Sequence, residues 1–366
     1  MQQLSPQDAQ FLYIETGNNL THVMGVNVYD PSTAPGGRVR FKDIISHVES
    51  RLDCSPVFRR RLMRLPYDFD HPYWVEDEFF DIEHHMFHSR LPEPGDWRQF
   101  CIHLSRHFSR PMDMNRPLWD MYVIEGLDGV EGFPDGAYAI ATRVHHAAID
   151  GASAMHFFSA MSDRDRKGTP AIDLKPVAVE AGPAPSTVNI LNRALVSNVQ
   201  SPVKMASTLL RFSPAIWNTV KKSLSSSSGG GRKVPLTRFN QVVSPHKMFD
   251  ATVFKLDDLK QIKTKVEGAT INDVVLSICA GGLRRYLDHH EELPSEPLVA
   301  IAPVNARGGS SEAEMPGNNI SAMTVSLPTL EDDPLERLQQ LRDTTHRTKA
   351  AKSGISARLM TDLSKH

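Results

Sequence analysis

Two adjacent histidines head the segment His145-His146-Ala147-Ala148-Ile149-Asp150-Gly151. An imidazole with a pKa of about 6.5 accepts a hydroxyl proton at neutral pH and later returns it to a leaving thiolate. One such residue can serve both halves of an acyl transfer, with no covalent enzyme intermediate. A bare histidine pair is weak evidence, because His84-His85 has the same composition. What separates the two pairs is context. Ala137 to Val144 alternates as a strand does, Ala152 to Met161 reads as a helix, and the histidines sit in the polar turn between them. His146 is therefore the candidate general base, with His145 as a hydrogen-bonded support of the turn.

The neighbouring residues have both structural and chemical readings. Asp150, four residues after His146, can orient the turn or anchor it to a distant arginine. Gly151 permits either a positive φ or close backbone approach, and its type alone does not separate these. Asn272 and Asp273 open a helical stretch, where such residues cap free backbone N–H groups. A functional Asn272 would instead hold the hydroxyl nucleophile or donate to the developing oxyanion, with Glu15 helping to position it. Trp119, Met121 and Val123 fall on one face of an alternating run, which reads as a core strand, and Trp119 can alternatively line a substrate channel. His103 and His107 have the i, i+4 spacing of helix-borne metal ligands, but no third ligand accompanies them, so no metal is expected. The candidate set is His146, His145, Asp150 and Asn272 for catalysis, Glu15, Gly151 and Trp119 for substrate, and Arg307 and Asp273 as supports.

These residues need an α/β framework. Val26 to Tyr29, Trp119 to Ile124 and Ala137 to Val144 read as strands, and Phe41 to Leu52 as an amphipathic helix. The run Ser225-Ser226-Ser227-Ser228-Gly229-Gly230-Gly231 reads as a flexible linker. A second α/β pattern follows, with a strand at Phe254, a helix through Lys263, a helix Asn272 to Leu287 and a strand Leu298 to Pro303. The expected organisation is a first domain over 1–180, a basic helical and flexible linker over 181–245, and a second domain over 246–366 that reads as incomplete. Between Asn189 and Lys222 there are five basic residues and no acidic one among apolar side chains, a pattern that suits either a surface helix pair or an interfacial segment.

The chain has 366 residues, 41 basic and 43 acidic, so no global field draws it to nucleic acid. Three dispersed cysteines fit neither a disulfide framework nor a thiolate site. With neither a leader pattern nor an apolar run of spanning length, the expected location is the cytoplasm, with peripheral contact at the inner membrane or a lipid-inclusion surface.

The turn after its strand resembles the signature of the coenzyme-A-dependent acyltransferase superfamily that includes chloramphenicol acetyltransferase. Further stretches resemble the bacterial wax ester synthase/diacylglycerol acyltransferase family: Leu4-Ser5-Pro6 with Asp8, Phe11-Leu12 and Glu15; Trp74-Val75 with Asp81 and His85; Pro117-Leu118-Trp119; Asn272-Asp273-Val274-Val275; Pro303-Val304-Asn305 with Arg307; and Gly317-Asn318. The resemblance runs from residue 4 to about 330. It implies an α/β fold of two chloramphenicol-acetyltransferase-like domains, mixed sheets with flanking helices, and an active-site channel between them.

It also implies that His146 is the base, that Arg307 pairs with Asp150 across the domains, and that no cofactor is needed. Acyl-CoA is a substrate, joined to a fatty alcohol to give wax ester or to diacylglycerol to give triacylglycerol. Family members continue past residue 366, so a separate C-terminal fragment is an expected partner. The alternatives are a condensation-type amide-forming enzyme and a catalytically inactive lipid-droplet binding homologue.

Overall fold

The computed structural model describes residues 2–64, 71–149, 151–172, 234–305 and 320–352. Asp150, Arg307 and almost all of the expected linker lie outside the described residues.

The first half opens with a two-residue strand β1 (Gln2–Gln3) and helix α1 (Pro6–Tyr13), followed by β2 (His22–Tyr29) and α2 (Phe41–Glu49). Next come β3 (Arg60–Met63), β4 (Tyr73–Glu76), β5 (Met86–Arg90), α3 (Trp97–Phe108), β6 (Trp119–Glu125), β7 (Tyr138–His145) and α4 (Gly151–Ala160). Helix α1 starts where Ser5 accepts the Asp8 N–H and Pro6 supplies a preset φ at the first turn. Helix α3 starts on a capping box of Asp96 and Gln99.

The main sheet has the order β2-β7-β6-β5. Strands β5 and β6 are parallel and joined through α3, while β7 pairs antiparallel with both β6 and β2. Alternation along β6 sends Trp119, Met121 and Val123 into one core with Phe58, Val144 and Phe157. Ile124, with Tyr122 packed beside it, faces the opposite core, built with Phe100 and Leu104 of α3. The sheet is thus covered on both sides, and Trp119 is a core residue, only 1% exposed, whose indole N–H donates to Phe58 O at 3.0 Å.

A buried ion pair ties this sheet to α3. Arg143 of β7 donates to both carboxylate oxygens of Asp120 on β6, at 3.1 and 2.6 Å. It also donates to the carbonyls of His107 and Arg110 at the end of α3, where free helix carbonyls favour a cation. His22 of β2 meets the same helix end, with Nε2 2.8 Å from Phe108 O. His107 Nε2 lies 3.2 Å from Asp120 Oδ1.

In the second half, α5 (Leu256–Thr264), α6 (Ile271–His289) and α7 (Pro334–Lys352) accompany an antiparallel pair, β8 (Val299–Asn305) with β9 (Ile320–Ser326). Ala280 and Leu287 of α6 pack with Leu298, Val325, Leu327 and Leu341. At Gly281 a Cβ would lie 2.1 Å from Arg337 Nη1, so glycine lets α7's arginine lie against α6.

The expected strand at Phe254 does not form. Residues 251–255 carry no strand pairing, and Val253 and Phe254 are both exposed, because a short apolar run makes a strand only where a partner edge is available. The stretch before them lies on the first half: Lys247 Nζ donates to Asn18 O at 2.7 Å, Trp97 Nε1 donates to Asp250 at 2.9 Å, and Phe249 packs on the α3 core.

Candidate active site

Strand β7 ends at His145, and residues 146–148 turn before α4 begins at Gly151. The turn is held by neighbours from three directions. His145 N–H donates to Leu118 O of the Pro117-Leu118-Trp119 stretch at 3.0 Å, and His146 N–H donates to Thr21 O at 3.0 Å. From β3, Arg60 donates to Ala148 O at 2.9 Å, its guanidinium 4.4 Å from the centre of the Trp74 ring.

The two imidazoles have different surroundings. His145 is fully buried, and its Nδ1 accepts the Ala147 N–H at 3.1 Å. The hydrogen-bond pattern therefore assigns the ring proton to Nε2, which lies 2.8 Å from Glu15 Oε2 and 2.9 Å from Thr21 Oγ1. Burial pushes the His145 pKa down against the pull of the Glu15 carboxylate, so the ring is neutral. Burial of Glu15 opposes its ionisation, but hydrogen bonds from the Thr21 N–H, the Thr21 hydroxyl and His145 outweigh this and hold its carboxyl below the usual range.

His146 is half-buried, and its ring lies flat on Phe11, with centroids 4.0 Å apart and planes 14° from parallel. Its Nδ1 is buried and has no hydrogen-bond partner among the described residues. Phe11 on the last turn of α1 and Glu15 just past the helix C-cap, Ile14, both reach the turn.

The sequence candidates thus separate. His145, His146 and Glu15 come together, with Glu15 bound to His145. Trp119 stays in the core beside the other pair, stacked on His85 at 4.6 Å, and His85 Nδ1 approaches Trp119 O at 2.7 Å. Asp150 and Arg307 lie outside the described residues, and of Gly151 only its place at the start of α4 is described.

At the second helix the cap is Thr270, whose side chain accepts the Asp273 N–H while Asp273 accepts the Thr270 N–H. Asn272 is exposed and does not cap, which corrects that reading: the preceding threonine occupies the position where a side chain can turn back onto the free N–H groups. Asp273 is fully buried and takes a further bond from Thr345 on α7 at 2.8 Å, so it locks α6 to α7. His103 lies 3.1 Å from Ser89 Oγ, and among the described residues no group of three or more His, Cys, Asp or Glu could hold a metal. Nor is any described helix long and apolar enough to cross a membrane.

Three contributors to the turn were not among the candidate site residues: Phe11, Thr21 and Arg60. Phe11 stands with Glu15 in one of the stretches that carry the family resemblance, which was a readable sign for the first. Thr21 and Arg60 are brought in only by strand register.

Residues 4–275 match the model of the wax ester synthase/diacylglycerol acyltransferase catalytic domain, and residues 316–366 match that of the C-terminal domain of the same family. The chain is 34% identical over 349 residues to a Mycobacterium tuberculosis protein described as a diacylglycerol O-acyltransferase, covering 92% of this chain and 70% of that one. With O-acyltransferase WSD of Acinetobacter baylyi it shares 31% over 357 residues, 95% of this chain and 72% of the relative. Among solved structures, the wax ester synthase/diacylglycerol acyltransferase from Marinobacter aquaeolei VT8 superposes with a TM-score of 0.64 at 27% identity, covering 99% of this chain and 75% of that one. The first condensation domain of the calcium-dependent antibiotic synthetase shares the fold, with a TM-score of 0.53 at 13% identity over 97% of this chain and 75% of that one.

Proposed function

The chain belongs to the wax ester synthase/diacylglycerol acyltransferase family of acyltransferases, and we propose that it transfers a long-chain acyl group from coenzyme A to a fatty alcohol or diacylglycerol with His146 as general base. The observation that carries this reading is the unequal pair of histidines. His145 is sealed and has both ring nitrogens engaged, whereas His146 is half-buried and its ring is braced on Phe11. Because Nδ1 of His146 is buried, Nε2 is the atom left to meet substrate.

In the proposed step, Nε2 takes the alcohol proton as the alcohol oxygen attacks the thioester carbonyl. The C–S bond then breaks, and the imidazolium returns the proton to the departing sulfur, giving ester and free coenzyme A. Glu15 acts through His145, holding the turn, and does not exchange a proton with substrate. Exposed Asn272 is the candidate donor to the alcohol or the oxyanion, and Asp273 anchors the helix start that presents it. Asp150 and Arg307 are proposed as the pair that holds the far end of the turn.

Thiol release from palmitoyl-CoA tests the reaction class, with hexadecanol, dipalmitoylglycerol and an aminoacyl thioester supplied in turn. Release with either alcohol and not with the amine is expected. Release with the amine alone would replace this reading by amide formation.

A further inference from the structure

Resting on the reading of His146 as base, we propose that Thr21 is a positioning residue of the reaction, joining Glu15, His145 and His146 into a single constellation. Its hydroxyl oxygen lies 2.8 Å from Glu15 Oε2, 2.8 Å from Phe11 O and 2.9 Å from His145 Nε2. Its backbone N–H donates to the same Glu15 oxygen at 3.1 Å, and its carbonyl accepts the His146 N–H at 3.0 Å. Thr21 thus touches both histidines, the carboxylate that orients one of them, and the helix turn whose Phe11 ring carries the other.

Proton accounting gives the hydroxyl a specific part. His145 Nδ1 accepts from Ala147, so Nε2–H points at Glu15 and at Thr21 together. The threonine hydroxyl has one proton, which it gives either to Glu15 or to Phe11 O, and it accepts from His145 in both arrangements. Removing it takes either a donor from Glu15 or the side-chain tie at Phe11 O from α1, and in both arrangements an acceptor from His145. The Phe11 ring, whose plane sets that of His146, then loses its fixed distance from the turn. A displacement of this kind reaches the base without touching substrate, and such small misplacements are costly to a near-attack geometry.

The experiment compares Thr21→Val, Thr21→Ala and Thr21→Ser in the full chain, with kcat and the KM for acyl-CoA and alcohol measured well below each variant's melting temperature. Thr21→Val keeps the shape and both backbone contacts but sets a methyl against a carboxylate. Thr21→Ala removes the hydroxyl without that methyl, so it carries the test if the valine variant does not fold.

The expected result is a fall in kcat of about 5- to 20-fold for both, less than the roughly 10²-fold that a full 1 Å misplacement can cost. KM values should stay within about twofold, and Thr21→Ser should return kcat to within about twofold of the parent. Combining Thr21→Ala with Glu15→Gln should cost less than the product of the two single effects. Unchanged kcat in Thr21→Ala, or equal losses in the alanine and serine variants, overturns the proposal. An inactive His146→Ala beside a fully active Thr21→Ala sinks this inference alone, whereas an active His146→Ala sinks the reading on which it rests.

Discussion

At the scale of single residues, the two histidines of the turn should respond to substitution in opposite ways. His146→Ala removes the proposed proton carrier but leaves a half-buried site that tolerates a small side chain, so turnover should fall by about 10² to 10⁴-fold with little change in melting temperature. A purified His146→Ala protein turning over within a few-fold of the parent would remove the general base from the mechanism. His145→Ala acts on stability first. It strips the Ala147 N–H of its acceptor and Glu15 of a donor inside the protein, each worth about 1–3 kcal/mol. Thermal melts of the two variants beside their kcat values separate a residue that reacts from one that supports.

At the scale of elements, β7 does two jobs, delivering the turn at its end and carrying Arg143 two residues earlier on the same face. Asp120→Asn removes the charge that Arg143 was buried to meet, while the arginine stays only 3% exposed. Breaking one side of such a pair costs about 3–5 kcal/mol, measurable by chemical denaturation. A loss below about 1 kcal/mol would show that the α3 carbonyls alone satisfy the guanidinium. Helix α4 is seated by Phe157, fully buried and stacked on Phe58 at 4.5 Å. Phe157→Ala should cost about 3–5 kcal/mol and lower turnover as well, because the helix that follows the turn loses its anchor. Stability lost with turnover intact would mean that the turn is held from β2, β3 and β6 alone.

Across the whole molecule, buried imidazoles make the fold sensitive to acid. Burial lowers the pKa of His85, His107 and His145, and burial together with the Arg143 charge lowers that of His22 to about 4. The unfolded chain protonates these rings near about 6.5 while the folded chain does not, so it binds more protons, and stability falls as pH drops from about 6.5 towards 4. Glu15 and Asp120 add in the same direction at lower pH, since burial opposes their charge but their donors win and hold both carboxyls below the usual range. Denaturation midpoints at pH 7.5, 6 and 5 should decline steadily. His22→Gln, which keeps a donor for Phe108 O but cannot titrate, should flatten that decline. A midpoint at pH 5 equal to that at 7.5 would show that the rings protonate without penalty.

By itself the amino-acid sequence determined the local features around the site. The strand, turn and helix at 137–161, the inward face of Trp119, Met121 and Val123, and the helix from Asn272 to Leu287 all follow from periodicity within a short stretch, and periodicity is what a linear pattern records. It also carried the family resemblance, because those motifs are contiguous. It failed at Phe254, where an apolar run had no partner edge, and at Asn272, where Thr270 was better placed to cap. Only the tertiary structure decided which residues meet. Glu15 reaches His145 across 130 positions, Thr21 joins both histidines because β2 pairs with β7 in the register His22 to His145, and Arg143 closes the end of α3. Such contacts depend on strand register and helix docking, which are set by burying two faces of one sheet at once, and no spacing along the chain encodes them.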